Sequence, residues 1–170
     1  MQNGGRSALL TSGLVQKAME IIAPSIENLI RIDPTRKVIF IVVLDPVAAA
    51  ENRWEPLWQG AIGEQDQSKW ARPYNEFAVK KTQVTLRTRM PSHVVQHDLA
   101  HLYAKGDFKY GGSEYRNGIV VGASGLAWHL DYAASSMTAG LLDAMVKGAF
   151  EIEYAKKDAH FIGIEAPLPK

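Results

Sequence analysis

The chain has 170 residues, 46% of them hydrophobic and 22% charged, with a formal net charge of +1; this suits one soluble domain built on a single core. No run of lysine and arginine exceeds two residues, so a nucleic-acid partner is not expected, because duplex binding needs a clustered basic surface. Cysteine is absent, which removes disulfides, zinc–thiolate centres, iron–sulfur clusters and thiol nucleophiles from consideration.

The longest apolar run, Val38 to Leu44, falls far short of the roughly 18 residues that a membrane-spanning helix needs. The opening "MQNGGRSALLTSG" carries one arginine and lacks an apolar core ending in a small-residue cleavage site, so it does not read as a secretory signal. The expectation is a cytoplasmic protein, 1–170 as a single domain, with a short C-terminal tail at 157–170.

In chain order, Leu14, Ala18, Ile21, Ile22, Ile26, Leu29 and Ile30 recur at helical spacing, predicting an amphipathic helix over Ser7 to Ile32. Pro24 lies inside it and is expected to kink or split it, since proline lacks the amide hydrogen and clashes with the preceding turn. Asp33-Pro34 ends the element. "KVIFIVVLD" then reads as a buried strand, apolar and mostly β-branched between charges. Pro46 to Trp70 holds three tryptophans, Trp54, Trp58 and Trp70, and a weakly signalled second strand near Leu57 to Ile62. The default role of these tryptophans is to anchor loops or a subunit contact; lining a ligand site is the alternative.

From Pro73 the helical period returns, and Pro73 suits a first turn. Pro91 ends that helix and Ser92 is positioned to cap the next. "GDFKYGG" is a turn-rich break. "SEYRNGIVVGAS" predicts a hairpin, because Asn117-Gly118 tolerates the positive φ angles of a type I′ turn. Gly125 breaks the strand, and a final helix is predicted from Trp128 to Lys156 with a stripe of Ala134, Met137, Leu141, Met145 and Ala149. "HFIGI" in the tail could add an edge strand. Strands joined by a tight hairpin cannot be parallel, so the expected fold is α+β: a mainly antiparallel sheet with helices packed on it.

The stretch "MPSHVVQHDLAHLY" places His93, His97 and His101 at four-residue intervals. On one helix they fall within an arc of roughly 80°, nearly opposite Val95, Leu99 and Leu102, so the imidazoles are expected to face solvent or a partner. Histidines at i and i+4 can chelate a metal, but "HDLAH" lacks the glutamate of the HExxH pattern. A solvated or interfacial face is the simpler reading, with a metal or haem contact and a pH-sensitive contact as alternatives. His129, two residues before Asp131, could form half of an acid–base pair; His160 stands alone.

No GxSxG elbow, GxxxxGK[ST] loop or GxGxxG fingerprint is present. In "GASGL" the small residues let strand and helix approach closely, and Ser124 could cap a turn. An anion would be favoured at the start of the last helix, where Asp131 can take that place internally. Lys81 is a candidate buried amine, against the default of a solvated lysine whose stem covers apolar surface.

Three spacings raise Lys81, Ser92 and Asp131 above that default. "AVKKTQVTLRTRMPS" resembles the A-x-x-K-A-x-T-A segment of the GlcG/HbpS-like family, which ends in Pro-Thr or Pro-Ser, and the interval from Lys81 to Pro91-Ser92 matches without a gap. "GASGLAWHLD" is similar to the family's G-x-S-G with an acidic residue seven positions after the serine, here Ser124 to Asp131. "VVLD" at Val42 to Asp45 resembles the end of its buried first strand, and Gly111-Gly112 stands where the family has a glycine pair. The resemblance covers roughly Leu14 to Met145. Two regions depart from it: the long Pro46 to Trp70 segment replaces a glycine-containing tight turn, and "SEYRNG" replaces the usual Ile-Pro-Ile and Asp-Gly of the hairpin. The resemblance implies a profilin-like α+β fold assembled as a homo-oligomer. It also implies a small-molecule ligand such as haem or an anionic metabolite, and a groove formed by Lys81, Ser92, Gly111, Gly112, Ser124, Gly125 and Asp131. A non-enzymatic ligand-binding or accessory role leads; an enzyme using Lys81 with Asp131 or His129 on a small carboxylated substrate, and a purely structural subunit, are the alternatives.

Overall fold

A computed structural model describes residues 6–153. The tail with its "HFIGI" segment, His160 and the last residues of the predicted final helix lie outside the described residues.

Among the described residues four strands form one antiparallel sheet in the order β2–β1–β4–β3, with β1 at Val38–Leu44, β2 at Pro56–Gly63, β3 at Ser113–Arg116 and β4 at Ile119–Ser124. All seven residues of β1 are buried because both sheet faces are covered. Ile39, Ile41 and Val43 pack with helices α1 (Ser12–Ile32) and α5 (Trp128–Glu153). Val38, Phe40, Val42 and Leu44 pack on the other side, with α3 (Tyr74–Thr88). Alternation along a strand sends neighbouring side chains to opposite faces, and here both faces demand apolar ones. The expected α+β architecture is what the chain adopts. The hairpin turn is also as expected, with Asn117 at φ 50° and Gly118 at φ 86° between the Arg116–Ile119 pair.

Three local expectations are corrected. Helix α1 starts at Ser12, where the Thr11 hydroxyl accepts from the Leu14 amide at 3.2 Å, and Pro24 does not split it. Pro24 and Glu20 are both exposed, so the Glu20 carbonyl that loses its donor is open to water. Buried Ala18, Met19, Ile22 and Ile26 hold the helix to the core on both sides of the proline.

The weakly signalled second strand near Leu57 to Ile62 is observed, as β2 at Pro56–Gly63, and a short helix precedes it. Asp45 caps a short helix, α2 (Pro46–Ala50), by accepting from the Val47 amide at 2.8 Å and the Ala48 amide at 3.2 Å. The chain then returns as β2 along the whole of β1. Trp58 donates to Gln16 at 2.9 Å and Trp70 to the Glu64 carbonyl at 2.8 Å, so both anchor this excursion.

Ser92 is not a cap. Pro91 holds the capping position of α4 (Ser92–His97) without a side-chain bond, and the buried Ser92 hydroxyl instead accepts from the Ser113 amide at 2.9 Å, fixing the start of β3. Ser92→Ala strands that amide, and a loss of about 1–3 kcal/mol in unfolding free energy is expected by chemical denaturation; an unchanged midpoint would mean that the amide finds another acceptor.

The three histidines do not share a helix face. The Asp98 and Leu99 amides both bond the Val94 carbonyl, at 2.8 and 3.1 Å, which closes α4 at His97 and leaves His101 on a separate turn at Ala100–Leu102. His93 turns inward, its ring centroid 3.9 Å from that of Tyr132, while His97 and His101 are exposed. Among the described residues no group of three histidine, aspartate or glutamate side chains is placed to hold a metal ion.

Candidate functional site

The site begins with the way α3 lies on β4. Lys81 belongs to the buried face of α3 with Ala78, Thr82 and Thr85. Gly122 of β4 lets that face come close: a Cβ there would sit 2.9 Å from the Ala78 carbonyl and collide with the Thr82 hydroxyl. This approach brings Lys81 to the end of β4, where its Nζ donates to Asp131 Oδ2 at 2.6 Å and to the Ala123 carbonyl at 3.1 Å.

Asp131 comes from the first turn of α5, on the opposite side of the sheet. Its Oδ1 accepts from the Leu126 amide at 2.8 Å, closing the turn that Gly125 makes at φ 155° between β4 and α5. Asp131 thus turns back on the β4–α5 turn, bonding an amide two residues before α5 rather than the amides of the helix's own first turn. Gly112, at φ 132°, completes the packing, since a Cβ there would fall 2.7 Å from Lys81 Nζ and 2.8 Å from Asp131 Cβ. Gly111 packs against His93 and Trp128 and donates its amide to Gln96 at 2.7 Å.

Both charged side chains are only 2% exposed. Burial pulls Lys81 below the usual amine range and pushes Asp131 up to about 6; in each case loss of hydration outweighs the attraction of the partner. Each shift favours the neutral form, so burial narrows the difference in proton affinity between the two groups. Arg36 lies close enough to favour the ionised form of Asp131.

Beside the pair opens a cleft of about 510 Å³ lined by Lys81, Ser124 and Asp131, by Leu126, Ala127 and Trp128 at the start of α5, and by Tyr74, Phe77, Phe108 and Tyr110. Arg36 and Arg72 complete the lining. Phe77 stacks on Phe108 at 4.6 Å, Phe108 meets Tyr110 edge-on at 5.5 Å, and Lys81 Nζ lies 5.7 Å from the Phe108 ring centre. Arg36 donates to the Tyr74 hydroxyl at 2.7 Å.

Of the residues singled out by sequence, Lys81, Ser124 and Asp131 line the cleft and Gly112 packs directly on the ion pair. Gly111 and Gly125 shape its surroundings, whereas Ser92 is used at the start of β3. His129 is exposed and is not among the lining residues, so no His129–Asp131 pair forms: both Asp131 oxygens are engaged elsewhere. The two arginines and the aromatic wall were not foreseen. The one available signal was the pairing of Phe108 and Tyr110 with the glycines in "GDFKYGG", an aromatic loop just ahead of the glycine pair.

No family model and no curated protein matches the chain. Solved structures do. Klebsiella pneumoniae ORFY, a DUF336 protein, is 12% identical over 85% of this chain and 97% of its own, with a TM-score of 0.54. A double mutant of Streptomyces reticuli HbpS is 17% identical over 84% of this chain and 92% of its own, with a TM-score of 0.57. The Ybr137w protein is 16% identical over 79% of this chain and 80% of its own, with a TM-score of 0.54. At such identities the likeness speaks for architecture, and the chain carries the GlcG/HbpS-like fold.

Proposed function

We propose that the cleft binds a small anionic ligand with a flat, conjugated body, held by its carboxylate at Arg36 and Arg72. The observation that carries this reading is the charge balance of the cleft. Lys81 and Asp131 cancel, Arg36 meets Asp33 only at 3.9 Å, and Arg72 has no acidic partner among the described residues. Two cations thus border an aromatic wall, and a guanidinium recognises a carboxylate through two parallel hydrogen bonds. The volume lies within the usual range of small-molecule sites.

Haem, the ligand that the family resemblance implies, is the second reading. The aromatic wall suits its plane and the arginines suit its propionates. For the iron the lining offers no histidine or methionine; the Tyr74 hydroxyl is held by Arg36 and Lys81 by Asp131, which leaves Tyr110, at 45% exposure, as the iron ligand. The fit to haem is therefore poorer than to a smaller aromatic carboxylate. The homo-oligomer belongs to the same reading; exposed Ile21 and Ile32 on α1 offer apolar surface for a second copy. No helix among the described residues is long and apolar enough to cross a membrane.

Calorimetric titration with benzoate and with phenylpyruvate tests the anion reading. Saturable binding is expected, about tenfold or more weaker in Arg36→Ala with Arg72→Ala and weaker at high salt. A parallel hemin titration reads the Soret band, with a shift lost in Tyr110→Phe expected for haem. Absence of saturation with every one of these anions retires the assignment.

A further inference from the structure

We propose that the cleft is an active site for 2-oxo acids, in which Lys81 forms an imine with the substrate carbonyl and Asp131 moves the protons. The proposal rests on the anion-binding reading above and names the substrate class and chemistry of the same site.

Four features meet there. The first is an amine at a water-poor wall: Lys81 lines the cleft, is almost wholly buried, and has the Phe108 ring within 5.7 Å of Nζ. Lysines become nucleophiles in such places because desolvation disfavours the ammonium form, and burial lowers Lys81 accordingly. The second is a proton acceptor already in contact, Asp131 Oδ2 at 2.6 Å. Its other oxygen is fixed by the Leu126 amide, so the carboxylate is oriented rather than free to turn. The third is a cation for the substrate: Arg36 lines the same cleft and lies close enough to act on the charge of Asp131. In a 2-oxo acid the carboxylate carbon is bonded directly to the carbonyl carbon, so an anion held at Arg36 brings its electrophilic carbon towards Lys81. The fourth is Gly112, where any Cβ would fall 2.7 Å from Nζ and close the space around the amine.

An ion pair serving only stability would be an unusual choice for this position. A buried pair is commonly matched or bettered by apolar side chains of similar volume, and α3 and α5 already pack on β4 through Thr82, Ala134 and Leu142.

The reaction balances without an outside reactant. Asp131 takes one proton from the Lys81 ammonium, and the free amine adds to the carbonyl carbon, breaking the carbon–oxygen π bond. Proton transfer from nitrogen to the new alkoxide gives the neutral carbinolamine. Protonated Asp131 then returns its proton to the hydroxyl, water leaves, and the nitrogen lone pair forms the protonated imine. Net, the ammonium and the ketone become iminium and water, with Asp131 again ionised. The iminium withdraws electrons from the neighbouring C3, which acidifies its hydrogens and opens proton abstraction to an enamine at the bound acid.

Trapping decides the matter in the 170-residue chain. Pyruvate or phenylpyruvate is added with sodium borohydride, and the adduct is located by peptide mass mapping. The expected result is a single reduced adduct on Lys81, with the adjacent exposed Lys80 unmodified, blocked by excess benzoate, and formed about a hundredfold or more slowly in Asp131→Asn. Saturable binding of the oxo acid without an adduct on Lys81, or adducts spread over exposed lysines, overturns the imine and leaves anion binding standing. If the oxo acids leave no adduct and benzoate also fails to bind, both readings fall. The wild-type map carries the result, so it holds even where a variant is poorly folded.

Discussion

Lys81→Met, made alone, is expected to lower unfolding free energy by about 3–5 kcal/mol, because it leaves the Asp131 carboxylate buried without its cation. The loss should depend on pH in a stated direction. Asp131 already has its folded-state value raised to about 6 from the ordinary 3.8. A group raised on folding contributes stability that is complete below its unfolded value and is lost as pH climbs through the folded one. In the wild type the contribution of Asp131 therefore declines from about pH 4 to about pH 6. Lys81, lowered on folding, acts in the reverse sense: the unfolded chain keeps its proton longer, so stability is recovered as pH rises towards the ordinary amine value of 10.5. Without Lys81 the carboxylate is pushed higher still, and the variant should approach wild-type stability at pH 4–5 while losing most near pH 8. Asp131→Asn keeps an oxygen for the Leu126 amide, and its cost should be smaller because Lys81 can shed its proton. Combined with Lys81→Met it should recover most of the single-variant loss. Urea denaturation of the four proteins at both pH values measures the cycle; additive single losses would show that the side chains do not act as a pair.

Gly112→Ala should be the next most damaging small change. A non-glycine residue in that region of backbone costs on the order of 1–3 kcal/mol, and forcing a methyl into packed surroundings adds about 1–3 kcal/mol. At Gly112 both apply, since φ is 132° and the Cβ would meet Lys81 Nζ, the Ala123 carbonyl and Asp131 Cβ at 2.7–2.8 Å. Gly106→Ala is the control, with φ 93° but no atom within 4 Å of its Cβ. It should show the backbone cost alone. Equal losses at the two positions would mean that Gly112 matters only for its dihedral angles and that the ion pair has room to shift.

These two positions also show what the sequence could convey. Lys81, Gly112 and Asp131 were legible because they sit in motifs at fixed spacing, and those spacings reflect rigid elements: α3, the glycine pair and the β4–α5 turn. The buried strand and the Asn117-Gly118 hairpin were legible from local chemistry alone. The cleft wall was not, because Arg36 follows α1, Tyr74 and Phe77 begin α3, and Phe108 and Tyr110 come from a loop; only the finished sheet brings them together. The histidine stretch misled for a related reason. Four-residue spacing describes a helix only while the helix lasts, and the shared Val94 carbonyl ends it after six residues. Helix α5 likewise presents a smaller face than its large apolar residues suggest. Ala134, Ser135, Thr138, Ala139 and Leu142 are buried, while Met137, Leu141 and Met145 pack at the margin, because a helix lying close on β4 favours short side chains.

The partners Lys81 and Asp131 stand 50 residues apart in sequence, one on each side of the sheet. The contact exists only once α3, β4 and α5 have all docked, so no partly folded fragment can offer the cleft. Its occupancy is thus linked to the global unfolding equilibrium rather than to local opening of one loop. A ligand at a hundred times its dissociation constant should protect the entire domain by about 2.7 kcal/mol, and the slowest-exchanging amides of β1 and β4 would register it as fully as those beside the cleft.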